Sequence, residues 1–197
     1  SLIGIDRRTN ANSKQEKDRF LQTLTQLKNS WQIGQFSSLE TSIYHTFLKG
    51  NYGFDFNNFL SLSSTDELYN YAFQSNLFGF FSNYTLSKKQ FNLISGVHGN
   101  IYNRQHTGSE KTIGQLYQNT GYKNEISVFT KVDYSLKWFA FFADVQYRYV
   151  NFDYKGSVAL QKLDWHFINP KAGLSTTLNN NSILYYSVGY TGREPTR

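Results

Sequence analysis

The stretch FAFFADVQYRYV at residues 139–150 decides the fold of this chain. Its odd-numbered positions are all apolar or aromatic, while its even-numbered positions include Asp144, Gln146 and Arg148. Side chains of a β-strand point alternately to opposite faces, so one face of this strand is apolar and the other carries charge. Twelve residues extend roughly 40 Å, whereas strands of soluble domains usually have about five or six residues. The length and the asymmetry predict a strand that crosses a membrane.

The same alternation predicts eight strands along the chain. Their approximate bounds are 18–32, 37–49, 73–87, 90–102, 123–136, 138–153, 164–178 and 181–191. We therefore expect an all-β, antiparallel up-and-down meander that forms part of a transmembrane β-barrel. Pro170 falls inside the seventh predicted strand, where it lacks a hydrogen-bond donor, so we expect a bulge or an irregular strand end there.

The connections between the predicted strands alternate in length. Short, mostly polar turns lie at residues 34–37, 87–90, 137 and 179–181. The intervening connections are longer and rich in Gly, Asn, Asp and Tyr; they are 50–72, 103–122 and 154–163. Outer-membrane barrels have short periplasmic turns and long extracellular loops. We therefore expect the three long segments to be extracellular loops.

The composition agrees with a barrel wall and excludes several other classes of protein. Aromatic residues make up 18% of the 197 residues, yet the mean hydropathy is −0.53. Alternating lipid-facing and lumen-facing residues explain this combination. No stretch approaches 18 consecutive apolar residues, so we expect no membrane helix. The absence of cysteine excludes disulfides and thiol chemistry. The net charge of +6 comes from scattered basic residues, so we do not expect nucleic acid as a partner.

No motif for catalysis or metal binding is present in the sequence. The four histidines, His45, His98, His106 and His166, lie far apart and form no metal-ligand spacing. No nucleophile has a neighbouring base, and no glycine-rich loop has the spacing that cradles phosphate. We therefore expect no enzyme activity, no metal site and no cofactor.

The polar face of the predicted strands supplies candidate residues for the lumen wall. They are Lys131, Asp133, Asp144, Gln146, Arg148 and Lys171. Such residues solvate a lumen or hydrogen-bond a plug domain more commonly than they contact a substrate. We expect the former role and keep substrate contact as the alternative.

Aromatic residues in the predicted loops are candidates for ligand binding. They are Tyr52, Phe54, Tyr69, Tyr71 and Tyr117. Aromatic rings in long loops either pack the loop on itself or stack on a ligand, and both interpretations stay open.

A second aromatic set lies near the predicted strand ends. Its members are Trp31, Phe36, Trp138 and Trp165. We expect these four residues to belong to the aromatic girdle at the membrane interface.

Three charged residues follow the last predicted strand: Arg193, Glu194 and Arg197. Strand parity places them near the outer rim of a barrel. We expect them to bridge loops through charge-assisted hydrogen bonds. The alternative is that they bind an anionic substrate.

The end of the chain contains three stretches in a characteristic order: FINPKAGLS at 167–175, LYYSVGY at 184–190 and REPTR at 193–197. In this order they resemble the TonB-dependent outer-membrane receptors. The stretches TQLKNSW at 25–31 and GNYGFDFNNF at 50–59 are also similar to segments of these receptors. The family has a barrel of about 22 strands with a plugged lumen. The resemblance therefore implies a fragment of the C-terminal barrel domain without its plug. The sequence also starts without Met and ends on the motif, so we expect a piece of a larger protein.

The resemblance implies a bacterial outer-membrane transporter for active uptake of a scarce nutrient, most commonly a ferric siderophore. Its implied partners are outer-membrane lipid, the plug domain of the same parent protein, the TonB complex and a small nutrient ligand. Contact with the TonB complex belongs to an N-terminal part that this sequence lacks. A passive porin-like channel and a soluble β-rich carbohydrate-binding module remain the alternatives. A plug domain in the parent protein would distinguish the receptor from the porin, and partitioning into detergent would exclude the soluble module.

Overall fold

A computed structural model describes residues 15–65, 68–179 and 181–195. These residues form one antiparallel sheet of eight strands in chain order. The strands are β1 (Asp18–Gly34), β2 (Ser37–Asp55), β3 (Leu68–Lys88), β4 (Phe91–Glu110), β5 (Gly114–Ser135), β6 (Phe139–Lys155), β7 (Leu163–Asn179) and β8 (Ser182–Gly189). The predicted eight-stranded meander is confirmed, and β1 and β8 do not pair with each other to close it.

One short helix, α1 (Phe56–Phe59), interrupts the strands in the described part of the chain. The side chain of Asp55 caps it by accepting a hydrogen bond from the backbone N–H of Asn58. No helix among the described residues is long and apolar enough to cross a membrane.

The register assigns the side chains to two faces of the sheet. Val145 of β6 lies opposite Thr130 of β5 and Pro170 of β7, and 46% of its surface is exposed. We call the face of Val145 the outer face and the face of Arg148 the inner face. In β6 the outer side chains are mostly exposed and the inner ones partly covered. This difference indicates that the sheet curves toward its polar face, where neighbouring side chains crowd together.

The outer face carries an apolar belt whose height fits a bilayer. On β4 the belt runs from Phe91 to Ile101, and polar outer residues follow from Asn103 upward. Ten rises of about 3.4 Å, tilted by about 45°, give a height of roughly 24 Å. Inside the belt the hydroxyl groups of Ser95 and Thr130 hydrogen-bond to each other at 3.0 Å, so neither faces lipid without a partner.

The strands extend further than the sequence pattern predicted. The predicted loop 103–122 is instead a β-hairpin, in which only residues 111–113 connect β4 to β5. In the predicted loop 50–72, the first residues belong to β2 and the last residues to β3. The connection between β6 and β7 covers 156–162, which is close to the predicted loop 154–163. On β4 the outer residues beyond the belt are Asn103, Gln105 and Thr107 rather than apolar ones, so the alternation of hydrophobicity stops there although the strand continues. The extracellular placement of these segments stays a prediction.

Strand β7 passes through Pro170 without a bulge. Its carbonyl accepts a hydrogen bond from the N–H of Tyr190 at 2.9 Å, which shows that this side of Pro170 faces β8. Because the N–H and C=O of a strand residue point the same way, the missing donor also faces β8. The ladder between β7 and β8 ends at the pair Lys171 and Gly189, so Pro170 lies one position outside it. The ladder therefore requires no backbone N–H from Pro170.

Candidate functional site

Four charged side chains meet on the inner face of β5 and β6. Arg148 donates from Nε and Nη2 to the two carboxylate oxygens of Glu125, each at 2.7 Å. Glu194 approaches the same guanidinium, with 2.9 Å between its Oε2 and Nη1, and its Oε1 accepts from Lys123. The side chains of Arg148, Glu125 and Glu194 are only 14–18% exposed. We call these four residues the charge cluster; its two cations balance its two carboxylates.

Glu194 reaches the charge cluster because the chain leaves the sheet after β8. Residues 190–195, which we call the strap, cross the inner face of β7. The backbone N–H of Gly192 donates to Oδ1 of Asn169 at 2.8 Å. Gly192 also lies against the ring of Phe167, where an added Cβ would be 2.9 Å from a ring carbon. The strap is thus held against the wall at Gly192 and again at Glu194.

The charge cluster keeps Glu194 ionised. Burial by itself would raise the pKa of this carboxyl group. Hydrogen bonds from Lys123, from the backbone and from Arg148 outweigh burial and lower the pKa of Glu194 to about 2. At physiological pH the carboxylate of Glu194 is therefore negatively charged where it contacts Lys123 and Arg148.

All six predicted lumen-wall residues lie on the inner face, where their register neighbours make a polar row. Asp144 stands opposite Lys131 on one side and Lys171 on the other. Nζ of Lys131 lies 3.2 Å from Oδ2 of Asp133. Nδ2 of Asn169 donates to Oε1 of Gln146 at 3.3 Å, although Asn169 was not among the predicted residues. Whether this row contacts a substrate or a plug stays a prediction.

The five predicted aromatic ligand residues also share the inner face, near the ends of the strands that lie beyond the belt. Tyr52 stands opposite Tyr71, and Phe54 opposite Tyr69. Tyr71 and Tyr117 both stand opposite Gly108, one on each side, and the Tyr117 ring covers that glycine. The structure thus brings one row of aromatic side chains together across β2, β3 and β5, with Gly108 of β4 in the middle.

Part of this aromatic row packs on the loop that follows β2. The ring centroid of Phe54 lies 5.9 Å from that of Phe59 and 6.4 Å from that of Phe56, both in α1. Phe56 in turn lies 6.3 Å from Tyr69. These contacts agree with loop self-packing. The rings of Tyr52 and Tyr71 are left partly exposed on the inner face.

Three of the four predicted girdle residues lie near the short turns, and their place at the membrane interface stays a prediction. Trp31, Phe36 and Trp138 are 51%, 45% and 64% exposed there. The prediction for Trp165 is wrong, because Trp165 stands opposite Val150 on the inner face. Trp165 does lie near a strand end, but the parity of β7 assigns it to the same face as Asn169.

Of the predicted rim residues, Glu194 lies in the charge cluster, Arg193 is exposed on the strap, and Arg197 lies outside the described residues. Glu194 contacts strand residues rather than the loops that we expected it to bridge. Sequence analysis missed Lys123 and Glu125. Both have the parity of Lys131 and Asp133 on the same strand, so the alternation contained the signal that would have found them.

Comparison with models of protein families gives no match, and comparison with curated proteins gives none either. Solved structures do match. The copper transporter OprC has a TM-score of 0.75 and 11% identity, over 92% of this chain and 32% of that one. The ferric-catecholate import receptor Fiu from E. coli K12 has a TM-score of 0.71 and 9% identity, over 93% of this chain and 37% of that one. The ferric citrate transporter FecA has a TM-score of 0.69 and 7% identity, over 87% of this chain and 27% of that one.

These neighbours are TonB-dependent receptors of the bacterial outer membrane, all of them transporters or receptors. The chain spans between 27% and 37% of the length of these three proteins. At such low identity the likeness shows the fold alone. The chain has the fold of a part of the barrel wall of these receptors, as the sequence resemblance implied.

Proposed function

We propose that this chain forms part of the barrel wall of a TonB-dependent receptor in a bacterial outer membrane. The observation that carries the proposal is the two-faced sheet, with its apolar belt outside and its ion-paired, hydrogen-bonded face inside. Eight consecutive strands pair in sequence order, as a barrel wall requires. In this function the outer face contacts outer-membrane lipid, the inner face contacts a plug domain, and the wall itself catalyses no reaction.

The parent protein, in this proposal, takes up a scarce nutrient with energy delivered through the TonB complex. Support comes from the fold shared with the ferric citrate transporter FecA, the ferric-catecholate import receptor Fiu and the copper transporter OprC. We propose a ferric siderophore as the substrate, because more of these neighbours are named for a ferric complex than for any other cargo. The row of aromatic side chains on the inner face offers flat apolar surfaces for the organic part of such a complex.

The experiment is growth of a strain that lacks the gene of the whole receptor on defined iron sources under iron limitation. We expect the deletion to abolish growth on at least one ferric siderophore, and a strain without TonB to fail on the same source. The purified whole receptor should bind that ferric complex directly. Growth that depends on the receptor gene but not on TonB would favour a passive porin-like channel. A parent protein that stays soluble without detergent would contradict the barrel and favour the carbohydrate-binding module.

A further inference from the structure

A pocket of about 460 Å³ lies between the strap and the inner face of the sheet. Lys123 and Arg148 of the charge cluster form its floor, and the strap residues Arg193 and Pro195 border it. Pockets that hold small molecules have volumes of about 300–1,000 Å³, so this one can hold a ligand with one or two rings. We call it the strap pocket.

Among the described residues, one positive charge that borders the strap pocket has no counter-charge. Lys123 and Arg148 are neutralised by Glu125 and Glu194, which leaves no net charge on the charge cluster. Arg193 is exposed and makes no ion pair with any residue in the described ranges. A guanidinium group presents donors in a planar fork that matches a carboxylate. The strap pocket therefore offers one cationic group for an anion.

The position of Arg193 is fixed by its neighbours. Gly192 is hydrogen-bonded to Asn169, and Glu194 is ion-paired to Arg148, so the residues on both sides of Arg193 are anchored to the wall. A cation on an anchored backbone loses less conformational entropy when it binds an anion than a cation on a free chain end does.

The remaining walls of the strap pocket are apolar and aromatic. Phe152 of β6 and Trp165 of β7 line it from the sheet, and Pro195 lines it from the strap. Both aromatic residues project from the inner face: Trp165 stands opposite the fully buried Val150, and Phe152 lies two positions further along β6. A flat apolar body packs well against such rings.

From these observations we propose that the strap pocket binds an anionic group that is joined to an aromatic ring, as in an aromatic carboxylate. Arg193 binds the anionic group and Trp165 packs against the ring. The inference rests on the proposed function, in which a substrate passes along the inner face, and it assigns one binding subsite on that path.

The experiment measures binding of salicylate to the purified whole receptor by titration calorimetry and by Trp fluorescence. Salicylamide, the neutral analogue, and acetate, the anion without a ring, are titrated in parallel. The variants are Arg193→Gln and Trp165→Leu. The control is Lys137→Gln, which removes a cation lying 5.4 Å from the centre of the Trp138 ring near a short turn. Heat-modifiability on gels checks that each variant is folded.

We expect salicylate to bind saturably and to bind at least tenfold more weakly to Arg193→Gln and to Trp165→Leu. The Lys137→Gln control should bind like the unchanged receptor. Salicylamide and acetate should each bind at least tenfold more weakly than salicylate. Equal affinity of Arg193→Gln and the unchanged receptor for salicylate would overturn the inference. The absence of saturable binding, as when a plug domain fills the pocket, would overturn it as well.

The uptake experiment separates this inference from the proposed function. If the receptor imports a ferric siderophore with TonB but does not bind salicylate, the proposed function stands and the subsite is wrong. If the protein binds salicylate through Arg193 but supports no TonB-dependent uptake, the subsite stands and the proposed function is wrong.

Discussion

The carboxylate of Glu194 and the guanidinium of Arg148 are 46 positions apart in the sequence and meet at 2.9 Å between Oε2 and Nη1. Because Arg148 also holds Glu125 with two hydrogen bonds, one guanidinium joins β5, β6 and the strap. Planar bidentate geometry is a property of arginine that lysine does not share. The contact therefore fixes both where the strap lies and which residue type can hold it.

Removing Arg148 should destabilise the protein strongly. Arg148→Met leaves Glu125 and Glu194 with Lys123 as their remaining cation, on a partly buried surface. We expect the free energy of unfolding to fall by about 3 kcal/mol, near the lower end for breaking a buried ion pair. Urea-induced unfolding of the purified protein measures this loss.

The control for this prediction is Lys131→Met on the same inner face. Lys131 and Asp133 keep 41% and 34% of their side-chain surface exposed, so their ion pair contributes at most about 1 kcal/mol. Equal losses in the two variants would contradict the structural role of the charge cluster.

The assignment of faces predicts opposite outcomes for two neighbouring residues of β6. Val145 lies in the apolar belt and Gln146 on the inner face. Val145→Arg should cost about 2–4 kcal/mol near the bilayer midplane and reduce assembly in the membrane. Gln146→Arg should assemble normally, because its side chain faces the polar lumen. The fraction of folded protein in a heat-modifiability assay measures both, and similar fractions would refute the assignment.

Gly79 should not tolerate a side chain, because the ring of Tyr44 covers it. A Cβ on Gly79 would lie 2.2 Å from Cζ of Tyr44, and the ring would have to move. That movement breaks the hydrogen bond of 2.8 Å between Tyr44 and His98. We expect Gly79→Ala to cost about 1–3 kcal/mol, as overpacking does.

Gly121 provides the matched control for Gly79. It also lies on the inner face, but the nearest atom to an added Cβ is 3.7 Å away, in Phe152. Gly121→Ala should change the free energy of unfolding by less than about 0.5 kcal/mol. If the two alanine variants unfold at the same urea concentration, the Tyr44 ring does not pack on Gly79 as the structure shows.

The tip between β4 and β5 should loosen in acid. The pKa of Glu110 is lowered from its ordinary value of 4.5, first by the hydrogen bond from the Thr112 side chain and then by backbone N–H donors that include those of Thr112 and Ile113. Glu110 lies at the end of β4, well beyond the belt that stops at Ile101. A carboxyl group with a lowered folded pKa stabilises the fold above its ordinary pKa. That contribution is lost as pH falls from about 4.5 through the lowered value.

Hydrogen exchange of the Thr112 and Ile113 amides, corrected for intrinsic rates, measures this loss. Protection should decrease with falling pH in the unchanged protein and stay independent of pH in Glu110→Gln. A pH-independent protection in both proteins would show that the carboxylate does not hold the tip.

Alternation alone was sufficient to predict the number and order of the strands and the facing of β6. The alternation of apolar and polar residues with a period of two is a local property that can be read from the sequence. It arises because lipid on one side and a polar lumen on the other select different residues at successive positions. The same logic failed beyond the belt, as at Asn103, because water on both sides no longer selects an apolar outer residue. It also failed for Trp165, where nearness to a strand end was given more weight than parity.

The sequence by itself determined the two-faced wall, because each outer side chain, such as Val145, meets its solvent without help from distant residues. Only the tertiary structure decided that Glu194 turns inward to Arg148 and that Arg193 borders an aromatic pocket. Those contacts depend on register across several strands and on the path of the strap, and a shift of one residue would move every side chain to the opposite face. The periodicity of a single strand contains no information about which distant residue lies across from it.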